Sequence, residues 1–239
     1  MTRPLFITGT GTDIGKTVLS LTALLWARSR GLSVAYVKPV QCGSRKPGLS
    51  FGDADWVSAA WPDIRAVSSV YSFADAVSPH LAVERAGGWI DPAWMIEQTE
   101  TAGRAADLLV IEGAGGAAVP LNREGLSMAD VAAQAGWPCL IGAQPGLGTL
   151  HHTLTTAHFL EARGATVAGF AFIRNTPDVS PLAADNAATL ASLTGTPFFG
   201  TVPYCPGLDR RLPVPPAVAG LLSTSLPGLD AWWDRGSGA

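Results

Sequence analysis

Short runs of apolar residues, each with at least one β-branched member, punctuate the chain: Leu5–Ile7, Val34–Val37, Leu108–Ile111, Cys139–Ala143, Val167–Ile173 and Phe198–Val202. None alternates with polar positions as a sheet with one wet face would require, so each reads as a strand buried on both sides. Between them lie longer stretches rich in Ala and Leu, at 16–30, 53–61, 92–106, 129–136, 149–163 and 183–193, whose length and composition suit helices. This alternation predicts an α/β fold: a parallel sheet with helices on both faces, joined by right-handed crossovers. With no repeat of fixed period and no composition shift to mark a linker, a single domain over residues 1–239 is expected. Residues 43–52 (GSRKPGLSFG) read as a mobile loop, and 203–216, with several Pro and Gly, as an irregular connection.

Composition narrows the classes of function. Hydrophobic residues make up 47% of the chain and charged residues only 15%, against roughly 25% charged in an ordinary soluble domain, so much of the surface must be neutral or hidden. The net charge is −3 and the 16 Lys and Arg are scattered, which leaves no electrostatic footprint for a nucleic acid or an anionic membrane. An anionic ligand must therefore be met by a small local site. Cys42, Cys139 and Cys205 are widely spaced and odd in number, which fits neither a closed disulfide framework nor a CxxC metal site and favours a reducing compartment. Val18–Trp26 is too short to span a membrane and lacks the cleavage region of a signal peptide. A cytoplasmic protein is the expectation.

The informative residues lie just past the strands, since open α/β sheets bind ligands beyond their carboxyl edge. After the first run comes Gly9-Thr10-Gly11-Thr12-Asp13-Ile14-Gly15-Lys16-Thr17, followed by a helix. Amides of a Gly-rich turn, the positive end of a helix, a lysine and a threonine hydroxyl together hold polyphosphate and Mg²⁺. The first glycine sits one residue early for the common G-x-x-x-x-G-K-[ST] spacing. The rival dinucleotide fingerprint G-x-G-x-x-G fails outright, because Ile14 stands where its third glycine belongs. The run Asp107–Ile111 ends in Glu112, followed by Gly113-Ala114-Gly115-Gly116, and so places a carboxylate near the Mg²⁺ expected with the nucleotide. Asp53 and Asp55 compete for a second carboxylate role, and Lys38, at the end of the second run, supplies a second cation. His151 and His158 share a helix face but stand about 10.5 Å apart along its axis, too far to share an ion.

Taken together, TGTGTDIGKT at 8–17, KPVQCG at 38–43, Ser78-Pro79-His80, VIEGAGG at 110–116, Leu147-Gly148-Thr149, Asn175 and Val202-Pro203 resemble the dethiobiotin synthetases, in which the offset phosphate loop is the expected form. The resemblance runs over most of the chain. It implies a P-loop NTPase fold and a homodimeric, Mg²⁺-dependent ligase that converts 7,8-diaminononanoate, CO₂ (or bicarbonate) and ATP to dethiobiotin, ADP and phosphate. Nucleotide binding would fall to Asp13, Ile14, Gly15, Lys16, Thr17 and Val18 of the loop, to Asp53, and to Glu112, Gly113, Ala114 and Gly115. Asn175 and Thr176 would meet the base, lined from the other side by Pro203, Tyr204 and Cys205. Thr17, Asp53 and Glu112 would carry Mg²⁺. Lys38, Lys16 and Thr12 would form the catalytic set, and Thr12, Lys38, Cys42, Ser78 and Pro79 would bind substrate. The substrate's far carboxylate would rest on the helix start Gly148, Thr149, Leu150 and His151 of the partner subunit.

Two departures from the family pattern stand out. Cys42 replaces the family's hydroxyl residue, and His151-His152 replaces Asn-His at the helix start. A competing class, the nucleotide-switched ATPases of the partition and division-site type, shares the sheet and loop. It carries a signature lysine five residues before the loop lysine, where this chain has Gly11. An amidotransferase relative would need a nucleophilic cysteine, and the surroundings of Cys139 and Cys205 suggest none.

Overall fold

The computed structural model describes residues 1–43, 52–61, 64–67 and 69–236. The expected loop at 43–52 lies almost wholly outside the described residues. In chain order the elements are β1 (Arg3–Gly9), α1 (Lys16–Ser29), β2 (Val34–Val37), β3 (Val40–Cys42), α2 (Asp53–Ala60), β4 (Arg65–Val67), β5 (Tyr71–Phe73), α3 (Pro79–Arg85) and α4 (Pro92–Gly103). There follow β6 (Leu108–Glu112), α5 (Met128–Ala135), β7 (Cys139–Ala143), α6 (Thr149–Ala162), β8 (Val167–Ile173), α7 (Ala183–Thr194), β9 (Phe198–Val202), α8 (Pro216–Thr224) and α9 (Gly228–Gly236).

Among the described residues the main sheet has seven strands in the order β4-β2-β6-β1-β7-β8-β9, and every pairing is parallel. The order reverses at β1, so the loop leaving that central strand opens into the crevice where such folds bind ligands. The apolar runs become β2, β6, β1, β7 and β8 inside the sheet and β9 at one edge. The sheet also includes β4, and the pair β3-β5 forms a second, two-stranded sheet, neither of which the apolar pattern announces. With three residues each, β3, β4 and β5 are too short to carry a period. Helix α3 begins with Pro79 at its first turn and runs only seven residues, and α8 and α9 follow the last strand, with no later apolar run to frame them. Residues 203–215 form the expected irregular connection.

Alternation along the strands divides the core in two. Leu5, Ile7, Val34, Tyr36, Leu108 and Val110 face the side covered by α1, α2, α8 and α9, with Leu24, Trp26, Trp56, Leu222 and Trp232. Phe6, Ala35, Val37, Leu109 and Ile111 face the other side, against Val83, Met95, Val131, Leu160 and Leu190 from α3, α4, α5, α6 and α7. This two-residue period continues past the strand ends, so that positions 36 and 38 stand in phase with position 112 on the α1 side. At the opposite end of β1, the guanidinium of Arg3 lies 3.9 Å from the centre of the Trp232 ring and donates to the carbonyls of Trp232 and Trp233 in α9. Among the described residues no helix is long and apolar enough to cross a membrane.

The outer strand β9 contains a bulge. Phe170 pairs with Phe198 but the next residue, Ala171, pairs with Gly200, so Phe199 is the extra residue and is fully buried. Gly200 has φ +131°, and a Cβ there would stand 2.3 Å from the Ser225 carbonyl oxygen. Gly200→Ala should therefore lower the unfolding free energy by at least about 2 kcal/mol in urea titrations, through strain and overpacking. Gly220→Ala, inside α8 with nothing within 4 Å of its Cβ position, should instead raise it by about 0.5–1 kcal/mol.

Candidate active site

The turn from β1 into α1 sets the first half of the site. Gly15, with φ +100°, caps α1, and a Cβ there would stand 2.8 Å from Ile173 Cγ2, so only glycine fits that backbone. Asp13 also adopts a left-handed conformation, φ 57°, which Asp tolerates better than most residues. Among the described residues no side chain caps α1, which leaves its first-turn amides to receive an anion. Lys16 Nζ donates to the Gly11 carbonyl at 3.0 Å. Burial, then the nearby Lys38, hold the Lys16 ammonium below its ordinary pKa, against the pull of Glu112, Asp53 and Asp13.

Glu112, at the end of β6 and 1% exposed, gathers the second half. Its Oε1 accepts from Thr17 Oγ1 at 2.9 Å and from Lys38 Nζ at 2.8 Å. Its Oε2 accepts from Ser20 Oγ at 3.0 Å and from the Tyr36 hydroxyl at 2.8 Å. The Lys38 ammonium also lies 2.8 Å from Asp53 Oδ2 and donates to the Gly113 carbonyl at 3.2 Å. Burial opposes the charge on Lys38, but the attraction of Glu112 and Asp53 outweighs it and raises its pKa. Asp53 behaves in the mirror sense: burial opposes its charge, while Lys38, Arg210 and the Thr17 hydroxyl hold its pKa down. Burial, followed by the charges of Glu112 and Asp53, raises Tyr36 well above the ordinary phenol value and keeps it a donor.

The geometry separates the two competing carboxylates. Asp55 turns back and accepts from the Gly52 amide at 2.9 Å, capping α2, whereas Asp53 points to Lys38. A cleft of about 1010 Å³ collects Thr12, Asp13, Gly15, Lys16, Thr17, Val18, Lys38, Cys42, Asp53, Ser78, Pro79, Glu112, Ala114, Gly115, Asn175, Pro203, Tyr204 and Cys205. Asn175 Nδ2 donates to the Asp13 carbonyl at 3.2 Å, tying the β8 end to the loop. Ile14 is buried beneath the loop, Gly113 meets Lys38 by its carbonyl, and exposed Thr176 lies outside the cleft lining. Gly148, Thr149, Leu150 and His151 are likewise not brought to it. Thr149 is buried with its hydroxyl 3.4 Å from that of Thr153, and its neighbour Leu147 is 96% exposed.

Sequence reasoning missed several participants. Tyr36 and Ser20 bind Glu112 from below; Tyr36 is two residues before Lys38 in a strand, and Ser20 is three after Thr17 in a helix, so both periods pointed to them. Arg210 lines the cleft, with its guanidinium 5.2 Å from the centre of the Trp56 ring, and Gln41 accepts from the Asp53 amide at 3.1 Å. Neither had a motif to announce it.

Comparison with known proteins follows the same lines. A protein-family model described as an AAA domain matches residues 3–211. An ATP-dependent dethiobiotin synthetase of Geobacillus kaustophilus is 34% identical over 88% of this chain and 89% of its own length. One from Bradyrhizobium is 38% identical over 88% and 92%. Among solved structures, the septum site-determining protein MinD of Pyrococcus horikoshii, complexed with Mg-ADP, superposes with a TM-score of 0.62 at 17% identity, covering 100% of this chain and 98% of that one. That likeness describes the sheet and its helices alone. Identity above 30% across nearly the whole length of the relatives is a stronger relation, and by it the chain belongs to the family of the ATP-dependent dethiobiotin synthetases.

Proposed function

We propose that this chain, as one domain over residues 1–239, is an ATP-dependent cyclo-ligase that forms the ureido ring of dethiobiotin from 7,8-diaminononanoate, CO₂ and ATP. The observation that carries the proposal is Lys38, an ammonium clamped 2.8 Å from both Asp53 and Glu112 in the cleft that also holds the phosphate loop. One amine of the substrate captures CO₂ as a carbamate. A carbamate oxygen then takes the γ-phosphoryl group of ATP, giving a carbamic-phosphoric anhydride and ADP. The neighbouring amine attacks its carbonyl carbon, loses a proton and expels phosphate, closing the five-membered urea.

Lys16 and Lys38 neutralise charge on the carbamate and the transferred phosphoryl group, and Thr12 donates its hydroxyl to the carbamate. Phosphoryl transfer needs chiefly such positioning and charge stabilisation. Thr17, Asp53 and Glu112 would hold Mg²⁺. The Lys38 ammonium already bridges the two carboxylates, which supports a cation-holding role for them. Two acids and a hydroxyl also suit an ion that completes its shell with phosphate oxygens and water; when bound, the ion supplies charge neutralisation to the phosphates.

Asn175, with Thr176 beside it, faces the base from one side and Pro203, Tyr204 and Cys205 from the other. Cys42, Ser78 and Pro79 line the path of the aliphatic substrate. Because Gly148 to His151 lie outside the protomer's own cleft, their role toward the substrate's far carboxylate belongs to a homodimer in which each subunit completes the other's site. The cytoplasm, without nucleic acid or membrane partners, is the setting consistent with the scattered charge. The nucleotide-switched alternative rests on likeness of fold, and Gly11 stands where its signature lysine would be.

Incubation with ATP, Mg²⁺, bicarbonate and 7,8-diaminononanoate should yield the cyclic urea by mass spectrometry; ATP turnover without it, or turnover stimulated by DNA or lipid, would sink the ligase reading. Lys38→Gln should lower ring formation by at least about 100-fold, the scale of losing one charge-stabilising donor, while nucleotide affinity remains measurable by calorimetry. Burial pushes the Cys42 thiol up to about 11, so the reactive thiolate is scarce near neutrality. Its alkylation by iodoacetamide, followed by peptide mass spectrometry, should be slow at pH 7.5 and rise about tenfold per pH unit toward that value.

A further inference from the structure

The two oxygens of Glu112 face different worlds. The donors to Oε1, Thr17 and Lys38, both line the cleft. The donors to Oε2, Ser20 at 3.0 Å and Tyr36 at 2.8 Å, are both 0% exposed and lie beneath it. A carboxylate oxygen offers two lone pairs in its plane, and on Oε2 these two hydroxyls occupy both. A cation reaching Oε1 needs only to displace Lys38 or Thr17 from the cleft side. To reach Oε2 it would have to break hydrogen bonds inside the core, leaving a phenol and a hydroxyl buried without partners, which is costly.

We infer that Tyr36 and Ser20 are positioning residues that confine Glu112 to a single metal-facing oxygen and so bias the site toward a small octahedral divalent cation and against calcium. The inference rests on the proposed role of Glu112 as a metal ligand. Calcium takes six to eight oxygens at longer distances and readily uses both oxygens of one carboxylate, whereas magnesium requires six in near-ideal octahedral order. A carboxylate with one oxygen saturated from behind supplies one vertex only, which satisfies the smaller ion and deprives the larger of a bond. The fold enforces this from two directions. Tyr36 reaches Glu112 because it stands on the neighbouring strand β2 in phase with Lys38 just past its end, and Ser20 because it lies one turn beyond Thr17 on α1. Tyr36 lies two residues before the cleft residue Lys38, and Ser20 shares α1 with the cleft residues Lys16, Thr17 and Val18.

The test uses the full chain with ADP and Mn²⁺ as the probe, bound Mn²⁺ being read by electron paramagnetic resonance and displaced by Ca²⁺. In the unaltered protein Ca²⁺ should displace Mn²⁺ poorly. Tyr36→Phe, which keeps the buried ring, and Ser20→Ala should each shift the ratio of Ca²⁺ to Mn²⁺ affinity toward calcium by at least about fivefold, a modest share of what partners behind a metal ligand commonly contribute. A ratio unchanged in both variants would overturn the inference, and so would equal weakening of both ions, since that is what a merely structural role predicts. Glu112→Gln separates the underlying reading: Mn²⁺ affinity unaffected by that substitution would remove Glu112 from the metal site altogether, and the inference with it. A drop in Mn²⁺ affinity with Glu112→Gln, combined with a shifted ratio in Tyr36→Phe, supports both.

Discussion

A carboxylate sealed inside a protein persists as an anion only where donors surround it, because the loss of water costs more than a single ion pair returns. Glu112 meets that demand with four donors drawn from α1, β2 and the residue just past β2. The arrangement of the sheet follows from the same requirement. Strand β6 must sit between β2 and β1 for its last residue to be reached from Lys38 on one side and from the helix after β1 on the other. The phosphate loop, the second lysine and the acidic strand end are thus parts of one buried electrostatic unit, and the cleft is its open side.

The inner strands and their helices were legible because a sheet buried on both faces leaves uninterrupted apolar runs, and because such runs are long enough to show themselves. The phosphate loop was legible for a different reason: its chemistry needs particular residues in consecutive order. Where structure depends on partners distant in sequence, the signal failed. The strands β3 and β5 exist through each other, and neither three-residue segment states its pairing. Asp53 and Asp55 could not be separated by spacing, since the decision belongs to Gly52, whose amide draws Asp55 into a cap and leaves Asp53 for Lys38. Tyr36 reads as part of an apolar run; its spacing from Lys38 gives the face it occupies, but the acceptor of its hydroxyl is Glu112 on the neighbouring strand, 76 residues away in sequence.

Low overall charge also takes on a definite meaning. In the cleft, Lys16, Lys38 and Arg210 stand among Asp13, Asp53 and Glu112, so charges of both signs are brought together there. Opposite charges in close contact inside a half-buried crevice interact more strongly than they would in water. A sparse surface therefore does not imply a weakly polar protein, and the polar groups that matter are held by the ends of parallel strands.

The grip of Arg3 on α9 ties the beginning of β1 to residues some 230 positions later. During synthesis β1 emerges first, yet both of its sheet neighbours, β6 and β7, and the aromatic pair that fastens its outer end are made much later. The strand that delivers the phosphate loop must wait for its own frame, and contacts of such long sequence separation slow folding. Assembly of the nucleotide site is accordingly a late event in the life of each new chain. Throughout that interval an apolar strand with two unpaired edges stays open to wrong partners, and the risk of misassembly is greatest for the very strand that leads into the site.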